Sequence, residues 1–297
     1  MQYRQFGKTD MKVSAIGYGT SEIGFRETPQ DVVNDLLNDA LDAGLNIIDT
    51  AECYRDSEEK IGKAVSHRRS EFYLFTKCGH TSGMEGEDWE PEMLRKQIDR
   101  SLQRLQTDYV DLIQLHTCSL ELLQKGEVIE VLEEAKTAGK ARYIGYSGDN
   151  DAAKFAVESG RFDALQCSVN VMDQANITNV LPYAAERQVG VIIKRPVANA
   201  AWLSEPEEGL YARPYWERYQ VLQYAALQTA SDEAVARALN FTLSQPAVCT
   251  AIVGSSSKSR FRQNVENLTR YPADEALNME FRRRWQEAAP SDWHSLT

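Results

Sequence analysis

No stretch of this chain supplies the roughly 18 consecutive apolar residues that a membrane-crossing helix needs. Its opening residues, MQYRQFGKTD, carry no basic segment followed by an apolar core of the kind a secretory signal requires. The expectation is a soluble, cytoplasmic protein with no membrane partner. A cationic surplus is lacking too: 33 Lys and Arg face 44 Asp and Glu, for a formal net charge of −11. That balance excludes broad affinity for nucleic acid or anionic lipid, while leaving room for one local cationic pocket. Cysteine is sparse and unordered. Cys53, Cys78, Cys118, Cys167 and Cys249 form no CxxC and no other metal-ligand spacing, so no metal site is expected, and their odd number suits a reducing compartment. Cys53, Cys78 and Cys118 lie within two residues of Tyr54, Lys77 and His116, and read as small apolar fillers, with redox sensing as the alternative. Linkers rich in Gly, Ser or Pro are missing as well. With 42% hydrophobic residues available for a core, residues 1–297 read as a single domain.

What is present is an alternation of apolar runs and amphipathic segments. Residues 3–6 and 12–14 flank the turn 7–10 and read as a hairpin that plugs one end of the remaining structure. Strands are expected at 14–18, 45–48, 71–76, 109–115, 141–146, 163–167, 190–193 and 249–253. Between them lie helical patterns, the first with Thr28 as N-cap, Pro29 at its opening position and a stop at Gly44. Eight strands, each followed by a helix, match a (β/α)8 barrel of the TIM type with an N-terminal β-hairpin, rather than a doubly wound sheet. Gly17-Tyr18-Gly19 is not a dinucleotide fingerprint, because the third glycine is misplaced and no helix opens until about Pro29. Tight backbone beside a ligand is the better reading. One segment breaks the rhythm: 195–230 carries Trp202, Tyr211, Tyr215, Trp216, Tyr219 and Tyr224, and reads as a lid over a ligand or as a partner interface.

In such a barrel the C-terminal ends of the strands share one rim, so Asp49 and Tyr54, Lys77, and His116 converge there. Singly, each has a bland explanation; on successive strand ends they form an acid–base set. An ammonium at Lys77 would lower the pKa of the Tyr54 phenol, Asp49 would keep Lys77 charged, and His116 would hold a carbonyl oxygen. After the last strand, the run from Gly254 through Ser255, Ser256, Ser257, Lys258 and Ser259 to Arg260 leads into a helix. Small residues, hydroxyls and two cations at a helix start form a phosphate pocket, against the plainer reading of a solvated turn.

These residues resemble the aldo-keto reductase family over nearly the whole chain. D-T-A-x-x-Y at Asp49 to Tyr54, F-T-K at Phe75 to Lys77 and Q-L-H at Gln114 to His116 are similar to that family's catalytic tetrad. The resemblance implies Tyr54 as general acid, tuned by Lys77 and Asp49, with His116 orienting a small carbonyl substrate and a nicotinamide cofactor supplying hydride. The family's adenosine-phosphate clamp aligns on Ser255, Arg260, Gln263 and Asn264, and the arginine resembles members that prefer NADP (NADPH). Ser147 and Gln166 match contacts to the nicotinamide carboxamide. Gly19, Thr20, Lys194, Arg195, Gly254, Ser256 and Lys258 complete the candidate cofactor site.

Two departures stand out. Gly148 replaces an asparagine usual after the fifth barrel strand, and Lys194-Arg195-Pro196 stands where an aromatic residue usually stacks on the nicotinamide; Arg195 is a candidate for cofactor phosphate instead. The implied activity is NADPH-dependent reduction of aldehydes or ketones by a monomer or weak homo-oligomer. Two alternatives remain at this point: a cofactor-binding regulatory or sensor subunit of the same fold, and a barrel in which Lys77 forms a Schiff base.

Overall fold

Each apolar run is followed by a helix that must bury its own stripe, which leaves a strand no neighbour except the next parallel strand. In a computed structural model, which describes all residues except Thr229, Ala230, Ser256 and Lys258, the hairpin strands are β1 (Tyr3–Gln5) and β2 (Lys12–Ser14). The remaining strands are β3 (Ile16–Gly19), β4 (Ile47–Asp49), β5 (Tyr73–Cys78), β6 (Val110–His116), β7 (Ala141–Ser147), β8 (Ala164–Ser168), β9 (Gly190–Lys194) and β10 (Val248–Val253). All eight lie within two residues of their expected bounds. They pair in parallel and close into a barrel, β10 meeting both β3 and β9. The hairpin is antiparallel and drives Phe6 into the barrel's lower end, its ring centroid 5.7 Å from that of Phe75. Among the described residues no helix is long and apolar enough to cross a membrane.

Alternation along the strands sorts the interior into layers. Phe6, Ile47, Phe75, Leu112, Ala164, Ile192 and Cys249 form one buried apolar cluster at the plugged end. Two residues further along the same strands, toward the rim, come Asp49, Lys77, Gln114, Gln166 and Lys194. The period of two thus turns an apolar floor into a polar upper layer without any change of strand face. Helices cover the outside; Gln30–Asp42 buries Val33, Leu36, Leu37, Ala40 and Leu41 against the strands, each Leu or Val contributing about 1.5–3 kcal/mol of transfer free energy. This helix begins one residue after the expected start, with Pro29 rather than Thr28 at its N-cap.

The aromatic-rich segment is partly helical and partly buried. Within it lie the turns of 3-10 helix Ala198–Leu203 and Ala225–Leu227 and the α-helix Arg213–Leu222. Trp202, Tyr215 and Tyr224 are buried in a second hydrophobic cluster with Phe241 and Phe281. Phe281 belongs to a helix the sequence pattern did not announce, Glu275–Ala288, and its ring meets Tyr224 edge-on at 4.8 Å. Tyr211 alone among the six aromatics is strongly exposed, at 65%.

Candidate active site

Asp49, Lys77 and His116 end or nearly end β4, β5 and β6, and the register Lys77↔Gln114 sets the lysine one step below the histidine. The loop after β4 is pinned to its neighbour by the bonds Thr50 N–H to Phe75 carbonyl (2.9 Å) and Glu52 N–H to Lys77 carbonyl (3.0 Å). That pinning carries Tyr54 back over the rim. Its ring centroid lies 5.4 Å from Lys77 Nζ and 5.8 Å from the His116 ring, which it meets edge-on. The four predicted residues are therefore brought together.

Lys77 and Asp49 are each 1% exposed. Lys77 Nζ donates to Asp49 Oδ1 at 2.5 Å and to the Thr50 carbonyl at 2.7 Å. Gln166 Nε2 donates to the other oxygen, Asp49 Oδ2, at 2.8 Å, and Ser147 Oγ donates to Gln166 Oε1 at 3.2 Å. A buried charge pair of this kind is tolerated because each carboxylate oxygen and the ammonium have partners. Thr20 belongs to the same support: its hydroxyl donates to the Asp49 carbonyl at 2.9 Å, and Ser57 Oγ donates to it at 3.0 Å.

The electrostatics correct one expectation. The Tyr54 pKa is raised, not lowered: burial is the main cause, followed by the negative charge of Asp49 and the thiol of Cys53. The Lys77 ammonium, paired with Asp49 at 2.5 Å, does not outweigh burial and that negative charge. The phenol thus keeps its proton throughout the neutral range. His116 lies well below the usual imidazole range, through burial first and then the charges of Lys77, His80, Lys194 and Arg195. It is neutral.

The cofactor candidates fall into three groups. Ser147 and Gln166 face the lumen as described. Gly19 and Gly254 bring β3 and β10 together so closely that a Cβ at Gly254 would sit 2.9 Å from the Gly19 carbonyl oxygen, so bare backbone is required there. Tyr18 ties the same corner by donating to the Ser255 carbonyl. Beyond it, Arg260 opens the helix Arg260–Arg270, with Asn264 buried and Gln263 half-buried one turn on. Arg260 is largely exposed, and its guanidinium reaches Asp232 Oδ1 at 3.3 Å. Backbone approach, hydroxyls, a helix N-terminus and an exposed arginine are the donor set a dinucleotide phosphate needs. Ser256 and Lys258 lie outside the described residues.

Lys194 and Arg195 form the third group and are already engaged. Lys194 pairs with the buried Asp149 at 2.9 Å. Arg195 Nη1 donates to the Leu296 carbonyl at 2.7 Å, and its guanidinium lies 4.4 Å from the Tyr211 ring centroid. The glycine at position 148 has a local cause. A Cβ there would lie 2.3 Å from the Tyr146 hydroxyl, which donates to the Cys118 carbonyl at 2.8 Å.

Sequence reasoning missed several neighbours. Cys53, read as a filler, places Sγ 3.3 Å from His116 Nδ1. His80, three residues past Lys77 on the same strand's exit, sets its ring 5.4 Å from that of His116 and its Nδ1 3.0 Å from Asp88. The C-terminal segment was passed over too: Leu296 bonds Ser168, Asp173 and Arg195 at the barrel rim. His80 followed a strand end and could have been flagged; the tail's docking has no local signal. Below the site, Glu58 accepts from Thr76 Oγ1 at 2.6 Å, its Oε2 is buried without a hydrogen bond, and burial pushes its pKa up to about 7.

Comparison with known proteins identifies the family. The family model "Aldo/keto reductase family" matches residues 15–280. The chain is 32% identical to L-galactose dehydrogenase of Arabidopsis thaliana over 285 residues, 91% of this chain and 88% of that protein. It is 30% identical to the uncharacterized oxidoreductase YqkF of Bacillus subtilis over 282 residues, 90% of each. Its fold superposes on the aldo-keto reductase AKR11C1 from Bacillus halodurans (holo form) with a TM-score of 0.82 at 27% identity, covering 98% of this chain and 99% of that one. Motifs, closed barrel and strand-end residues lead to one conclusion: the chain belongs to the aldo/keto reductase family of oxidoreductases.

Proposed function

We propose that this protein is an NADPH-dependent oxidoreductase that reduces aldehydes or ketones to alcohols, with Tyr54 as the proton donor. The observation that carries the reading is the Tyr54 ring set 5.4 Å from the ammonium of the buried Lys77–Asp49 pair and 5.8 Å from the His116 ring. When bound, a nicotinamide cofactor supplies the hydride. Ser147 and Gln166 would hold its carboxamide, and Gly254, Ser255, Arg260, Gln263 and Asn264 its adenosine phosphates.

His116, being neutral, can hydrogen-bond the carbonyl oxygen without losing a proton to it. As charge builds on that oxygen, Tyr54 passes its proton across, and the ammonium of Lys77 stabilises the phenolate left behind. Asp49 holds Lys77 in place and limits how far its charge reaches. A relative whose name states a sugar substrate, L-galactose dehydrogenase, makes sugar aldehydes and lactols the first compounds to try.

The test is a carbonyl panel with NADPH, read at the nicotinamide absorbance, on wild type, Tyr54→Phe and Asp49→Asn. Tyr54→Phe should lose about 10²- to 10⁴-fold in kcat while binding NADPH normally. Asp49→Asn should lose less, since it alters the field at the acid without removing it. A Tyr54→Phe enzyme that reduces carbonyls near the wild-type rate would overturn the assignment and return Lys77 to consideration as a nucleophile.

A further inference from the structure

We infer that Cys53 is a positioning residue whose S–H donates to His116 Nδ1, holds the imidazole proton on Nε2, and so presents an N–H to the substrate's carbonyl oxygen. The inference rests on the proposed function, in which His116 binds that oxygen. The contact is direct, with Sγ 3.3 Å from Nδ1. No hydrogen bond reaches Nε2 among the described residues, which leaves that nitrogen for a ligand.

Two arrangements are compatible with the distance, and chemistry separates them. A neutral imidazole has one donor nitrogen and one acceptor. His116 is held neutral by burial and by the cations Lys77, Lys194 and Arg195. Cys53 is a thiol at neutral pH, because burial pushes its pKa up to about 11 despite the nearby charge of Lys77. A thiol sulfur is a poor acceptor and an imidazole nitrogen a good one, so the proton between them belongs to sulfur. The opposite tautomer would aim the Nε2 lone pair at a carbonyl oxygen and repel it. Cys53 also stands next to Tyr54 on a loop pinned by the Tyr54 N–H to Ala51 carbonyl bond (3.0 Å). One short loop therefore sets both the proton donor and the partner that orients the oxygen.

The experiment uses the full chain. The chain has four histidines, so 15N spectra of the histidine-labelled protein are tractable, and His116→Gln assigns the signal of interest. Wild type and Cys53→Ser, which keeps a donor, should show Nδ1 unprotonated and Nε2 protonated. Cys53→Val should show both tautomers. Its kcat/KM should fall about tenfold, the scale of one lost hydrogen bond, with NADPH affinity unchanged, and Cys53→Ser should recover most of the loss. A protonated Nδ1 in the wild-type spectrum would overturn the inference, as would a Cys53→Ser enzyme as impaired as Cys53→Val. The spectrum needs no turnover. If no carbonyl in the panel is reduced by wild type, the proposed activity fails while the tautomer is still decided.

Discussion

Replacing Glu58 with Gln should stabilise this protein above neutral pH and have little effect in acid. Glu58 is buried in the helix Ser57–Val65, directly below the strand that carries Lys77. One carboxyl oxygen is satisfied by Thr76; the other has no hydrogen bond, and Arg104 stays 3.8 Å away. Burial raises its pKa from 4.5 to about 7. Below pH 4.5 the group is protonated in folded and unfolded chains alike and contributes no difference. As pH rises from 4.5 toward 7, the unfolded chain ionises while the folded chain keeps its proton, so stability falls through that window. Above 7 the whole penalty stands, about 3 kcal/mol for the rise from 4.5 to about 7. Glutamine has the same shape, keeps the bond from Thr76, and cannot ionise. The attraction to Arg104 already offsets part of the burial penalty in that value, so the expected gain is about 3 kcal/mol. Denaturant unfolding of wild type and Glu58→Gln across a series from about pH 5 to about pH 8 measures it. The difference should be small at the acid end and grow to its full value at the alkaline end. A difference that does not vary with pH, or a less stable Gln variant at pH 8, would refute the reasoning.

Two further outcomes concern the cofactor clamp and the rim. If Arg260 takes a 2′-phosphate, NADPH should bind more tightly than NADH by about 1.5–3 kcal/mol, a preference lost in Arg260→Ala; equal affinities in wild type by fluorescence titration would remove Arg260 from the clamp. Gly148→Ala should destabilise the fold by about 1–3 kcal/mol, because its Cβ would displace the Tyr146 hydroxyl from the Cys118 carbonyl. An unchanged unfolding midpoint would show that the loop yields without strain.

The barrel was legible because its signals are local. Each strand is an apolar run and each helix an amphipathic one, so Ile47-Ile48 before Asp49 or Leu112 to Leu115 before His116 places a site residue by counting alone. What escaped depends on contacts distant in the chain. The segment after β9 becomes ordered by burying Tyr215 and Tyr224 against Phe281, more than fifty residues later, and no periodicity within the segment reports that. The balance of charge at Tyr54 was equally hidden: the pattern marks Asp49 as the counter-charge of Lys77, but not as a charge that itself raises the phenol's pKa. Gly148 looked like a missing asparagine. Only the position of the Tyr146 hydroxyl explains it.

Asp49 divides its two oxygens between Lys77 on the neighbouring strand β5 and Gln166 on β8, across the barrel. The carboxylate that sets the field at the phenol is therefore also the anchor of the amide proposed to grip the cofactor. By reciprocity, whatever draws Gln166 from Asp49 alters the acid, and whatever alters the acid changes the grip by the same factor in free energy. Substitutions at Ser147 and at Lys77 touch nothing in common except that relay, yet their effects should not add. Under the proposed function, hydride delivery and proton delivery in this barrel are not separable modules. An engineered change of cofactor seat would have to be re-tuned at the proton donor, with Asp49 as the hinge between the two.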